Sequence, residues 1–508
     1  MGKTAKSIKI RTDLFEIELN QSLPQKSSHH ETKFMLIILS LVTTDLIGLS
    51  LAILTGVLIR LKLIPMLNPG IIQNIPDSFI SNLWLITFIL IACLAYERTY
   101  TQRQSFWSEA RNIVTATTMA FFITLATVFL TRLGDEFSRT TIFITYIFAL
   151  FTLPMVRYFG KIFLFYLGIW AEPILILGAG DTGKKIAVSF ITQPFIGYQI
   201  FGFLDDDKNK MYEGVNILGK DYRVFGGFDE ATRIIRENNI ANAVIAVPRM
   251  YGEDLVQLAY KLKHSTRNVI VAPDIAGMSI TGGQITHLFD EKILLYSTQN
   301  NLVRPLNMLI KRLFDIIVGF SIFIFLFPVL LLISLMIKID TRGPMGFSHK
   351  RVGKGGKEFN CYKFRTMATN SQEILQRLLE TDPEIKKEWE ENFKLKDDPR
   401  VTRVGKILRR TSLDELPQIL NVLKGEMSLV GPRPIVMDEV PKFGKYAPDY
   451  FMVLPGITGL WGVSGRSDIE YNERVQMEAW YVRNWSLWLD ITLLFKTVGV
   501  VLGKKGAY

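Results

Sequence analysis

The sequence predicts a mixed fold in three parts: a four-helix transmembrane bundle, a Rossmann-like α/β domain, and an α/β candidate catalytic domain with a re-entrant membrane helix. Three observations carry this. Four apolar runs crowd the first third of the 508 residues, and a glycine fingerprint follows a buried-strand pattern at 173–183. A fifth apolar run, interrupted by Pro328, leads into a segment dense in Lys, Arg and Gly. Composition agrees, since 48% hydrophobic with 21% charged residues is too apolar for an ordinary soluble chain and too charged for a purely membrane one.

Residues 1–33 are polar and lysine-rich and hold no apolar core of a cleaved signal, so they read as a cytoplasmic N-terminal segment. The bundle, residues 34–170, holds the runs Phe34–Ile59, Phe79–Tyr96, Ile113–Leu130 and Thr140–Val156, each near the ~17–25 residues of a spanning helix. Arg98, Arg103 and Arg111 lie between the second and third runs, and Arg157 and Lys161 follow the fourth. The loops 60–78 and 131–139 carry two basic residues each, which puts both ends of the bundle on the cytoplasmic side. Asp45 lies inside the first run; it is either paired within the bundle or functional.

Residues 171–300 form the middle domain. Strand Pro173–Leu177 precedes Gly178-Ala-Gly180-Asp-Thr-Gly183, a helix follows, and strand Tyr198–Leu204 ends at Asp205. Glycine in that context lets a backbone approach a pyrophosphate, and an acid about twenty residues on suits a ribose. Gly178, Gly180, Gly183 and Asp205 are therefore candidate nucleotide ligands within a module read as regulatory or structural. No Tyr-x-x-x-Lys redox pair follows, which disfavours a dehydrogenase.

The third part, residues 301–508, opens with Lys311-Arg-Leu-Phe-Asp315 and an apolar stretch over about 313–339. Length alone allows a fifth span; Pro328 allows a helix that dips into one leaflet and returns, and the basic residues that follow favour the dip. From His349 to Met367, Arg351, Lys354, Lys357, Lys363 and Arg365 surround Gly353, Gly355 and Gly356, a pattern suited to phosphate or to a solvated loop. Asp414 and Glu415 are adjacent at an expected helix start, after Arg409 and Arg410. Neighbouring helical residues point about 100° apart, so the pair can divide labour but cannot face each other across one bond. The alternative is a capping box, Ser412 with Glu415 three residues later. The two cysteines, Cys93 and Cys361, are too few and too far apart for a disulfide framework or a thiolate metal cluster.

The ordered motifs KFRTM, DPR, SLDELPQ and MSLVGPRP within 349–434, with PGITGLWGVSGRSD at 455–468, resemble the bacterial sugar transferases, the monotopic polyprenyl-phosphate hexose-1-phosphate transferases. The resemblance implies a UDP-sugar donor, galactose ahead of glucose in the family prior, and undecaprenyl phosphate as acceptor. It further implies attack by Asp414, Mg²⁺ held by Glu415, and substrate phosphates clamped among Lys363, Arg365, Arg410, Arg433 and Arg466. A homodimer in the bacterial inner membrane, with its catalytic domain on the cytoplasmic face, completes the expectation. One departure concerns the break in the membrane helix, where the family often has Ser-Pro and this chain has Phe327-Pro328. Trp485 and Trp488, three apart in a Trp-rich stretch, suit a headgroup interface if helical, or a core. The formal charge of +11 then belongs with anionic lipid and diphosphate rather than nucleic acid. A membrane-tethered nucleotide sensor or assembly scaffold is the alternative from another class.

Overall fold

The first apolar run is hydrophobic on every face and forms one long helix, α1 (Ser28–Leu58), extended by a π turn at Ile59–Leu63. Three helices follow: α2 (Leu83–Tyr96), α3 (Phe106–Leu130) and α4 (Arg139–Tyr166). α1, α3 and α4 are long and apolar enough to cross a membrane, whereas α2 has 14 residues. The computed structural model describes residues 28–67, 82–131, 139–210, 214–251, 253–263, 265–272, 284–288, 293–297, 301–382, 385–386, 395, 398–465 and 469–502. The chain divides into two units, Met1–Asp274 and Ile275–Tyr508.

α1 and α4 approach closely because glycines sit where they cross. A Cβ on Gly160 would fall 2.5 Å from Thr44 Cγ2, and one on Gly56 would fall 2.6 Å from Thr145 Oγ1. Buried charges hold the same helices. Asp45 accepts hydrogen bonds from Arg157 Nε at 2.9 Å and Tyr100 Oη at 2.7 Å, and Glu109 accepts from Arg157 at 3.3 Å and Lys161 at 2.5 Å. Two acids thus balance two bases, the arrangement that makes ionic groups tolerable away from water. Asp45 is therefore paired within the bundle. Arg157 and Lys161, read from sequence as flanking positive charge, are fully buried in this network, while Arg98 and Arg111 remain exposed. Arg103 is likewise spent, donating to the carbonyls of Trp170 at 2.9 Å and Gly197 at 2.8 Å and pairing with Glu172 at 3.1 Å. Those contacts tie the bundle to the domain that follows.

That domain runs β1 (Glu172–Leu177), α5 (Asp181–Thr192), β2 (Tyr198–Leu204), a hairpin of β3 (Gly214–Ile217) and β4 (Lys220–Arg223), α6 (Ala231–Glu237), β5 (Asn242–Ile245), α7 (Glu253–Lys263) and β6 (Asn268–Val271). Four strands form a parallel sheet in the order β2-β1-β5-β6. Successive β1 residues point to opposite faces: Ile174 and Ile176 pack with Ala187 of α5, and Leu175 and Leu177 with Ile234 and Leu258 of α6 and α7. Both faces are covered, so the strand reads as a continuous apolar run. The expected Rossmann-like α/β pattern is present, and the β3–β4 hairpin is an addition that the sequence did not announce.

The second unit begins with a hairpin of β7 (Gln284–Leu288) and β8 (Ile293–Ser297), then α8 (Pro305–Asp340), which is helical through Pro328. An antiparallel hairpin of β9 (Gly346–Val352) and β10 (Glu358–Phe364) follows, then α9 (Ser371–Thr381) and α10 (Arg403–Thr411). A 3₁₀ turn, Leu413–Gln418, leads into α11 (Ile419–Lys424). β11 (Ser428–Val430) and β12 (Gly456–Thr458) pair in parallel, and α12 (Leu460–Ser464), α13 (Tyr471–Arg483) and α14 (Leu487–Leu502) complete the unit.

The charges of the 311–315 segment anchor α8 to this unit. Lys311 Nζ bonds Asp490 at 2.7 Å and the Val430 carbonyl at 3.0 Å, Arg312 donates to the carbonyls of Val422 and Leu423 at 2.7 and 2.9 Å, and Asp315 accepts from the Leu429 amide at 3.1 Å. Asp490 is further held by Tyr481 Oη at 2.7 Å and Trp485 Nε1 at 3.0 Å. Trp485, 3% exposed, is therefore a core residue and not an interfacial one. The helix starts only at Leu487, so the spacing argument that paired it with a half-buried Trp488 does not hold.

Candidate active site

Asp414 and Glu415 lie in the 3₁₀ turn, and the local sequence explains why an ordinary helix start does not form there. α10 ends at Ser412, which adopts the left-handed conformation (φ 57°) and offers no side-chain cap, so the expected capping box is absent. The chain then tightens into 3₁₀ geometry through Pro417 before α11 begins. Both flanks are fixed. Thr402 caps α10 by accepting from the Gly405 amide at 2.9 Å, and Gly405 leaves no room for a side chain, since its Cβ would fall 2.1 Å from the Thr366 carbonyl oxygen. On the other side, buried Asn421 uses its amide like a strand partner for β10, accepting from the Tyr362 amide at 3.0 Å and donating to the Asn360 carbonyl at 2.8 Å.

That pairing places Lys363 of β10 over the carboxylates. Its Nζ is 2.6 Å from Glu415 Oε1 and 3.9 Å from Asp414 Oδ2. Asp414 is the more buried, at 15% side-chain exposure against 37% for Glu415. Burial pushes the Asp414 carboxyl above its usual range; the Lys363 charge opposes the shift, the Glu415 charge adds to it, and Arg409 lowers it again. Arg409 also donates to Thr366 Oγ1 at 3.0 Å, whereas Arg410 is exposed on α10. Of the adjacent arginines, it is the one not singled out from sequence that faces the carboxylates.

Arg365 is not free to meet a phosphate as the residue pattern suggested. It is 7% exposed and donates to the carbonyls of Arg342 at 3.0 Å and Thr341 at 2.8 Å and to Thr341 Oγ1 at 2.8 Å, satisfying the chain just past the end of α8. Arg433 has an exposed side chain with its guanidinium 5.0 Å from the Trp461 ring, which Arg474 also approaches at 5.0 Å. Its charge acts on Glu415 and on Arg351 and Arg474. Arg474 is held by buried Glu478 at 3.1 Å, and burial raises the Glu478 carboxyl above its ordinary value. Arg466 lies outside the described residues. Asp414, Glu415, Lys363 and Arg433 thus share one field, with Arg409, Arg351 and Arg474 added by the fold.

In the middle domain Gly183 is required by packing, because its Cβ would fall 1.9 Å from the Gly178 carbonyl oxygen. Gly180 faces open space at the start of α5. Asp205 is already engaged, accepting from the amides of Ala179 at 2.8 Å and Asp207 at 2.9 Å.

Comparison with known proteins places these features. Residues 306–504 match the family model described as bacterial sugar transferase, and residues 95–273 match one described as a CoA-binding domain. A UDP-galactose-lipid carrier transferase of Erwinia amylovora is 34% identical over 94% of this chain and 98% of its own. An undecaprenyl-phosphate galactose phosphotransferase of Salmonella typhimurium is 38% identical over 85% of this chain and 90% of its own. A UDP-glucose:undecaprenyl-phosphate glucose-1-phosphate transferase of Escherichia coli is 32% identical over 66% of this chain and 69% of its own. The chain is a transferase: it belongs to the bacterial sugar transferase family, the polyprenyl-phosphate sugar-1-phosphate transferases.

Proposed function

We propose that this enzyme transfers hexose-1-phosphate, galactose-1-phosphate before glucose-1-phosphate, from a UDP-sugar to undecaprenyl phosphate. This opens the synthesis of an O-antigen, capsule or exopolysaccharide. The observation that carries the reading is the half-buried Asp414, 3.9 Å from the Lys363 ammonium and next to the more open Glu415. An Asp414 oxygen attacks the phosphorus that bears the sugar, and the bond to UMP breaks with its electron pair leaving on UMP. A phosphate oxygen of the lipid then attacks the same phosphorus and expels Asp414, giving the lipid diphosphate sugar. Lys363 and Arg433 supply positive charge to the transferring phosphoryl group.

Among the described residues no group of three acids, histidines or cysteines is placed to hold a metal ion, and the oxygen donors at this site are the carboxylates of Asp414 and Glu415. That sparse set fits Mg²⁺, which takes one or two carboxylates and completes its shell with water and substrate phosphate; Glu415 would hold it. When bound, the ion would neutralise diphosphate charge.

The geometry of α8 supports a re-entrant membrane mode. Before Pro328, Gly319 lies against Val422 and Ile419; after it, Ile333 and Ile337 pack with Leu408, Leu413 and Leu416. Both arms thus meet the carboxylate-bearing segment, and between these anchors residues 320–332 hold no buried position. At ~1.5 Å per residue that stretch is about 20 Å, short of the ~30 Å hydrocarbon core. Anchoring at both points supports a helix that enters one leaflet and returns, and with it a catalytic domain on the cytoplasmic face of the inner membrane, where UDP-sugars are. The dimer belongs to the same proposal, and native mass measurement in lipid tests it. The middle domain we read as a scaffold, since Asp205 is committed to the glycine loop.

The test of function is UMP release over a panel of UDP-sugars in the presence of undecaprenyl phosphate, with UDP-galactose expected first. Incubation with a donor labelled in its sugar should leave a covalent label on wild type and none on Asp414→Asn. A labelled Asp414→Asn protein, or an unlabelled wild type that still transfers, would sink the covalent route.

A further inference from the structure

A groove of about 390 Å³ opens beside the carboxylate pair, a size in the range of specific ligand sites. Met345, Phe347 and Phe364 of the hairpin region line it with Pro417, Leu420 and, from α8, Ser334, and Ser348 and Tyr362 add hydroxyl groups to the lining. Lys363 is the one charged side chain among the described residues that line it, and its ammonium is the group shared by Glu415 and Asp414. The rim is apolar and open: Met345, Phe347 and Leu420 are exposed, as are Leu331 and Leu335 on the neighbouring turns of α8. A mainly apolar trough that begins at α8 and holds one ammonium matches a single hydrocarbon chain with a terminal anionic head.

We propose that this groove holds the phosphate-proximal end of the acceptor's polyprenyl chain, the rest of which stays in the bilayer, and that the acceptor phosphate meets Lys363 beside Asp414. This rests on the lipid-acceptor reading given above. A prenyl phosphate is a monoester on one chain, and both parts find a partner here. A glycerophospholipid carries an internal diester and two chains, and the groove offers one wall system and one cation.

Full-length protein in nanodiscs of neutral lipid, photolysed with a prenyl phosphate bearing a diazirine on its first isoprene units, tests this directly. Label is expected on the peptides that carry Met345 to Phe347 and Leu420, abolished by excess undecaprenyl phosphate and retained with excess phosphatidylglycerol or inorganic phosphate. Label elsewhere, or equal competition by phosphatidylglycerol, overturns the proposal. Leu420→Trp, which narrows the trough, is expected to raise KM for undecaprenyl phosphate about tenfold with KM for the UDP-sugar unmoved; an unchanged lipid KM counts against the groove. Wild-type UMP release in the same nanodiscs separates the two failures. Its absence sinks the transferase reading, whereas normal release with misplaced label sinks only the groove.

Discussion

Two clusters of charge in this chain differ in a way that separates support from chemistry. In the bundle, Asp45, Glu109, Arg157 and Lys161 are each at most 2% exposed, and two acids meet two bases at hydrogen-bonding distance. At the candidate site Asp414 and Glu415 share one lysine at unequal distances, 3.9 and 2.6 Å, and both keep contact with solvent. The first cluster has no unspent capacity, so a ligand has nothing to gain there. The second is unbalanced, and an incoming phosphate and cation can complete it.

The largest effect should come from Asp414→Asn. Loss of the proposed nucleophile is expected to cut UMP release by about three orders of magnitude or more. Stability should not fall with it: burial raises the Asp414 carboxyl, so its ionised form is less favoured in the folded chain than in the unfolded one, and the amide removes that cost at neutral pH. A melting midpoint that drops together with activity would move Asp414 to the supporting class. The bundle should answer in the opposite sense. Arg157→Met leaves Asp45 buried without its counter-charge and Glu109 with Lys161 alone, at a cost of about 3–5 kcal/mol. Thermal melting in detergent should show that loss, with KM for the UDP-sugar unchanged in the folded fraction.

Arg365 tests the boundary between the classes. Its bonds to Thr341 and Arg342 predict that Arg365→Met destabilises by about 2 kcal/mol and leaves KM for the UDP-sugar within a factor of two. A tenfold rise in that KM without loss of stability would restore the phosphate-clamp role that its place beside the glycine-rich loop suggests.

What sequence could tell follows the same division. Periodicity and glycine placement made the Rossmann-like strands and the membrane helices legible, because each depends on local pattern. That Asp414, Glu415 and Lys363 lie together was legible through motif order. Arg365 and Arg409 were not separable, because which arginine faces the carboxylates depends on how α10 rests on the Thr366 backbone through Gly405, a contact between segments about forty residues apart. Asn421 carries no marker in sequence, since its role is to imitate a strand edge for β10. Trp485 misled for a related reason: its indole is drawn inward by Asp490, which Lys311 and Tyr481 also hold from distant parts of the chain.

The smallest and most discriminating effect concerns pH. On the proposed route the attacking group is ionised Asp414, so kcat/KM should be full above its folded pKa and fall as pH drops through it. An ordinary aspartate titrates near ~3.9; burial lifts this one, so the acid limb should lie at higher pH than that. Lys363 opposes the lift and Glu415 adds to it. Lys363→Met should therefore move the acid limb further up, and Glu415→Gln should move it down, whatever either change does to the height of the profile. Opposite displacements follow only if both neighbours act on one titrating carboxyl. Limbs that move together, or not at all, would mean that the group controlling the rate is not Asp414, and the unbalanced cluster would lose its claim to the chemistry.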